Sequence, residues 1–191
     1  DYMSFKRLGD AYINSEKLED GVKNYQKALK LNPRYRPVYN SLLEALDAAG
    51  KRYDRRETIL DMIKQFGEEP GLLAEICKTY YEDGYLEGAQ DYCQRAITKD
   101  PKNADSHIYL GLTYEASKNL PRAIKIIQNA AKQFKKSEVA QYTAAKLNES
   151  SKNTLAAYKY YKRGKNADPT SFRSWLGFAR MSFEIKNLSL I

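Results

Sequence analysis

Three prolines impose a ruler on this chain. Pro33, Pro101 and Pro169 follow one another at intervals of 68 residues, and each closes a short polar run: KLNP, TKDP and NADP. Six residues beyond each stands a ring, Tyr39, His107 and Trp175, at a place where a helix would bury it. Since 68 is twice 34, the period that constrains the fold is a supersecondary unit of 34 residues. One such unit cannot cover its own apolar face, so successive units have to stack.

Within a unit the apolar spacing is helical. Phe5, Leu8 and Tyr12 form one stripe, and Leu18, Val22, Tyr25, Ala28 and Leu29 form a second. The polar NSEK turn separates them, so the unit reads as an antiparallel helix pair. The break returns as AAGKR, YEDGY, ASKN and ESSKN. Pro37 and Pro121 fall in first helical turns, where a missing N–H is tolerated, and Pro70 falls in the loop between units. The stretch LGDAYINSEKLEDGVKNYQKALKLNP, from Leu8, comes back in register as LGLTYEASKNLPRAIKIIQNAAKQF, from Leu110.

This pattern resembles the tetratricopeptide repeat, whose signature is W-x2-L-G-x2-Y followed by Ala, Phe, Ala and Pro. The first unit supplies Phe5, Leu8, Gly9, Tyr12, Gly21, Tyr25, Ala28 and Pro33. The third supplies Leu73, Ile76, Cys77, Tyr80, Ala89, Cys93, Ala96 and Pro101. The fourth has His107, Leu110, Gly111, Tyr114, Ala123, Ile127 and Ala130. The fifth keeps Ala157, Tyr161 and Pro169, with Asn148 in place of a ring, and the second is the most degenerate, with an extra residue expected near Lys51–Tyr53. The resemblance implies an all-α, right-handed superhelical solenoid with a concave inner surface. It would be a single array over 1–191, with units 2–35, 36–69, 70–103, 104–137 and 138–171 and a partial sixth, 172–191. That sixth unit breaks off at KNLSLI. The natural protein is therefore expected to continue, or a single helix to cap the stack.

No run of roughly 20 apolar residues is present, so a membrane span is not expected. The sequence carries no phosphate loop, dinucleotide turn, HExxH, CxxC or GxSxG, which points away from an enzyme and calls for no cofactor or metal. His107 alone cannot build a metal site or triad. Cys77 and Cys93 fall on facing sides of one helix pair and are read as two buried packing thiols, with a disulfide as the alternative. Asn148 and Asn187 head short glycosylation sequons, the first at a position expected to be buried. With no leader visible at Asp1 and no evident thiol pairing, the localisation leans towards the cytoplasm.

In the repeat family the first helix of each pair lines the groove, and peptides bind there. The candidate partner-binding residues are Lys6, Asp10, Asn14, Asn40, Glu44 and Asp47 towards the amino terminus. Lys78, Tyr81, Tyr109 and Leu112 occupy the middle, and Tyr142, Lys146, Arg173 and Arg180 the carboxy-terminal end. Such a groove would run from acidic through aromatic to basic. The clamp that holds acidic chaperone tails is not matched: Lys6 fits, but Asp10, Ser41, Gly71 and Glu75 replace its other residues. Charge is uneven along the chain. Residues 1–100 carry sixteen Lys and Arg against eighteen Asp and Glu, a net −2, and residues 101–191 carry sixteen against six, a net +10. The leading expectation is a non-enzymatic scaffold or adaptor for a protein or peptide partner. Nucleic-acid binding by the basic half, with YKYYKRGK (Tyr158–Lys165) mixing cations and rings, is the first alternative. Self-association through the uncovered sixth unit is the second.

Overall fold

The computed structural model describes residues 1–188, with side chains described as far as Lys186. Ser189–Ile191, the end of the KNLSLI segment and of the Asn187 sequon, lie outside the described residues. Among those described there are eleven helices and no strand. The first helices of the units are α1 (Tyr2–Asn14), α3 (Arg36–Ala48), α5 (Pro70–Glu82), α7 (Ala104–Ala116), α9 (Glu138–Ser150) and α11 (Phe172–Leu188). The second helices are α2 (Leu18–Leu31), α4 (Arg52–Phe66), α6 (Leu86–Lys99), α8 (Leu120–Gln133) and α10 (Thr154–Ala167).

Every first helix begins 34 residues after the one before it, and so does every second helix. The extra residue expected near Lys51–Tyr53 is therefore absent. The irregularity of the second unit lies at its exit, where α4 runs one residue longer and ends on Gly67, with φ of 87°, in place of the recurring proline. Pro70, expected in a loop, is the first residue of α5, where its fixed φ suits the helix and its missing N–H costs nothing.

The turn inside each pair is built the same way five times. Glu16, Gly50, Gly84, Lys118 and Lys152, again 34 apart, all take a left-handed backbone with φ between 59° and 79°. The next N–H then reaches back to close the first helix. Lys17 donates to Tyr12, Lys51 to Leu46, Tyr85 to Tyr80, Asn119 to Tyr114 and Asn153 to Asn148, each at 2.8–2.9 Å. Glycine accepts this conformation without cost, whereas Glu and Lys do not.

Helix pairs cross where side chains are small. Gly9 lies so close to the Tyr25 ring that an added Cβ would sit 2.6 Å from Cε1. The equivalent facing positions are Gly111 and Ile127, Ala145 and Tyr161, and, in the third unit, Cys77 and Cys93. These cysteines are joined as a disulfide with Cα atoms 4.8 Å apart, both fully buried. The expectation of two separate thiols is thus corrected: the crossing brings both side chains to the one point of closest approach.

The second unit departs from this rule. Leu43 and Arg55 stand where the other pairs have Gly9, Cys77, Gly111 or Ala145, and Gly21, Ala89, Ala123 or Ala157. Two large residues hold α3 and α4 apart, and this pair packs less closely than any other complete pair. Arg55 fills the seam with polar contacts, its Nε 2.6 Å from Asp47 Oδ1 and its Nη1 donating to Thr79 Oγ1 at 3.0 Å. Neighbouring Arg56 is buried, paired with Asp83 at 2.8 Å and stacked over the Tyr85 ring. The apolar core falls into three clusters. One cluster joins α2 and α3, another spans α3 to α5, and the largest runs from α5 to α11.

Consecutive first helices approach one another from α5 onward, while each second helix, among the described residues, packs chiefly on the first helices on either side. The first helices therefore form the inner wall and the second helices the outer one. Asn148, in place of a ring, is buried in α9 and spends its amide on Ala144 O at 2.7 Å and on Gln128 at 3.1 Å, so its sequon faces inward. No helix among the described residues is long and apolar enough to cross a membrane.

Closing a loop with a sequence separation of 16 contributes about 3 kcal/mol. Dithiothreitol, or the Cys77→Ala/Cys93→Ala variant, is expected to lower the Tm, and the unreduced protein to expose no free thiol in denaturant. At the turns, Lys118→Gly is expected to stabilise the chain by about 1 kcal/mol, read as a rise in the urea midpoint.

Candidate functional site

The inner wall is a groove floored by the first helices. At its amino-terminal end a hollow of about 450 Å³ lies between α1 and α3, lined by Asp10, Ile13, Asn14, Ser41 and Glu44. Asp10 is fixed from two sides: Lys6 pairs with it at 2.7 Å, and the Tyr25 hydroxyl donates to it at 2.8 Å. Burial first, and the Asp10 carboxylate second, push the Tyr25 phenol up to about 12. Asn14, Asn40 and Glu44 are exposed.

A second hollow of about 340 Å³ occupies the loosened seam of the second unit and includes Asp47, Arg52, Arg55, Lys78 and Glu82. Asp47 is held by Arg55, and Lys78 reaches Glu82 at 3.8 Å. Next along the wall the half-buried rings of Tyr81 and Tyr109 meet with centroids 5.6 Å apart. Leu112 packs on the core beside them. Both phenols are pushed up, first by desolvation and then by carboxylates: Glu115 and Glu82 beside Tyr81, Glu82 and Asp105 beside Tyr109. Desolvation likewise raises the Glu115 carboxyl, and Lys146 pulls it back.

At the carboxy-terminal end, Tyr142 lies under the Arg173 guanidinium at 4.5 Å and beside the Tyr161 ring. Arg173 forks onto Glu138, with Nε at 3.1 Å, and depresses that carboxyl together with Ser171 and Ser174, overcoming its desolvation. Arg180 pairs with Glu149 at 2.5 Å, Lys146 approaches the same carboxylate at 3.9 Å, and the Tyr161 hydroxyl donates to it at 2.6 Å.

The structure thus brings together Lys6 with Asp10, Tyr81 with Tyr109, Tyr142 with Arg173, and Lys146 with Arg180 around Glu149. It leaves Asn14, Asn40 and Glu44 on open wall. Of the cations anticipated at the basic end, Arg173 and Arg180 are paired within the chain, and Lys146 shares Glu149 with Arg180. Glu44, Asp105 and Glu115 are, among the described residues, without a cation within 4 Å. The carboxylates around the two tyrosines, Glu82, Asp105 and Glu115, escaped the sequence reading. Glu115 lies one helical turn beyond Leu112, a spacing that places it on the same face.

Family models described as tetratricopeptide repeat match residues 7–35 and 80–147, together just over half of the chain. The chain is a tetratricopeptide-repeat protein. As such it is an interaction scaffold and not an enzyme. Its fold is similar to that of MamA, with a TM-score of 0.72 and 18% identity over 88% of this chain and 92% of that one. It is similar to TTC0263, a thermophilic repeat protein of Thermus thermophilus, with a TM-score of 0.66 and 18% identity over 96% and 100%. It is also similar to YrrB, a repeat protein described as having an unusual peptide-binding site, with a TM-score of 0.67 and 15% identity over 92% and 90%. No curated protein matches the sequence.

The Tyr25 phenol yields a pH test. A folded value raised to about 12, against about 10 unfolded, leaves its contribution intact below pH 10 and removes it as the pH climbs through 12. Urea midpoints should therefore fall between pH 10 and 12, and less steeply in Tyr25→Phe.

Proposed function

We propose that the inner wall of this repeat array binds an extended or helical peptide segment carrying an apolar anchor flanked by basic residues, and so holds that segment within a larger complex. The observation that carries this reading is the Tyr81–Tyr109 pair. Neither ring is needed at a crossing of two helices, yet both sit on first helices, half-buried and in tilted contact with each other. Tyrosines so placed offer contact area at little entropic cost and are enriched among residues that dominate interfaces.

Electrostatics favour a basic partner at this point. Glu82, Asp105 and Glu115 rim the rings, whereas Arg173 and Arg180 already have carboxylates of their own. The peptide-binding site ascribed to YrrB, whose fold is similar, is consistent with a peptide groove here. Complementary charge on the rim would set register and speed encounter more than it would deepen affinity.

Peptides selected from a displayed random library against this protein are the direct test. A selected peptide should be basic around one large apolar residue. It should lose about thirtyfold in affinity for Tyr81→Ala/Tyr109→Ala, whose far-ultraviolet spectrum and melting are checked alongside. Glu115→Lys should weaken it further. Selected peptides that bind the folded double variant as tightly as the parent would overturn the assignment of the groove.

A further inference from the structure

The outer wall departs from the repeat pattern twice over at the fifth unit. The loop after each second helix carries Pro33, Pro101 or Pro169, but Gly67 after α4 and Lys135 after α8. The fourth residue of each first helix is Phe5, Tyr39, Leu73, His107 or Trp175, but Gln141 in α9. Elsewhere the large residue seals the seam beneath the loop: His107 packs on Phe134 and bonds Pro101 O at 3.0 Å, and Trp175 Nε1 donates to Pro169 O at 2.9 Å. At the fifth unit a shorter side chain and a missing proline leave a cleft of about 460 Å³ between the ends of α8 and α10.

This cleft is lined by Lys132, Lys135, Lys136, Arg163 and Asn166, with Gln141 at its floor. The Gln141 Nε2 donates to Ala131 O at 2.6 Å, while its Oε1 is buried without a hydrogen-bond partner. Among the described residues, none of the four cations has a carboxylate within 4 Å. Residues 120–137 and 150–167 carry ten Lys and Arg and not one Asp or Glu, and the acids that border them are engaged elsewhere, Glu138 by Ser171, Arg173 and Ser174 and Asp168 by Thr170. The carboxyl ends of α8 and α10 each present about half a negative charge. Together they offset roughly one of the four cations and leave about three uncompensated. A buried acceptor lacking a donor, under converging cations, where two recurring residues have been given up, is a local breach of the folding rules, and such breaches collect at binding sites.

We propose that this cleft binds a ligand with clustered phosphates beside a free hydroxyl, of the inositol polyphosphate type. Lys132, Lys135, Lys136 and Arg163 take the phosphates, and Gln141 Oε1 accepts from the hydroxyl. A single-stranded nucleic acid fits less well. Stacking needs open rings, and those of the YKYYKRGK run are used in the core: Tyr160 and Tyr161 are buried, and Tyr158 packs on Phe178 with centroids 5.1 Å apart.

Calorimetric titration of the whole chain with inositol trisphosphate tests the site. Lys135→Gln/Lys136→Gln should weaken binding roughly a hundredfold, about tenfold per charged contact. Lys118→Gln/Lys152→Gln, the same charge change in the turns at the opposite ends of α8 and α10, should alter it no more than about twofold. Gln141→Leu should weaken inositol trisphosphate but leave inorganic pyrophosphate unaffected. Flotation with phosphatidylcholine vesicles, with and without phosphatidylinositol bisphosphate, separates a lipid headgroup from a free ligand. Equal losses in the two lysine pairs would mean diffuse attraction and sink the proposal. So would an absence of binding, or a nucleic-acid duplex that binds more tightly than inositol trisphosphate with a steep salt dependence.

Discussion

Two helices can lie close enough to share one core only where a side chain is nearly missing. In this array that place recurs at fixed register: Gly9 against Tyr25, Gly111 against Ile127, Ala145 against Tyr161. Everything else follows from the approach so obtained. It sets the angle at which the next first helix is received, and the large partner fills the volume that would otherwise be a void. In the third unit the same approach is made by Cys77 and Cys93, and the contact becomes a bond.

The two walls treat charge in opposite ways. On the inner wall, carboxylates and cations find each other within the chain, as in Lys6–Asp10, Arg173–Glu138 and Arg180–Glu149. The aromatic centre is left with an acidic rim. On the outer wall, α8 and α10 have no acids with which to do the same, and the net +10 of residues 101–191 is carried there. The uneven charge noted in the sequence is thus concentrated on one face, the outer wall, of the carboxy-terminal half.

Much of this was legible from residue spacing. The prolines fixed the period, the apolar stripes fixed the pairs, and both survive in helix starts that never leave a 34-residue step. The disulfide was within reach too, since Cys77 and Cys93 occupy the positions of Gly9 and Tyr25. The choice between two thiols and one bond turned on how near that register brings them. What spacing could not disclose is which charges are already used. Arg180 and Glu149 are 31 positions apart, so their pairing depends on how α11 settles on α9. Nor could it show that the degeneracy of the second unit lies in the bulk of Leu43 and Arg55, with no inserted residue.

That second unit has a mechanical consequence. A stack of rungs flexes where its rungs are least firmly tied, and here α3 and α4 share a thinner apolar contact, of Tyr39, Leu43, Ile59 and Met62, with the Arg55–Asp47 ion pair beside it. A partly exposed ion pair ties two elements less firmly than interlocked side chains do. The second repeat is then the softest joint of the stack, and the disulfide-pinned third repeat the stiffest. A partner lying along the groove would meet a wall that yields near its amino-terminal end and holds firm at its middle.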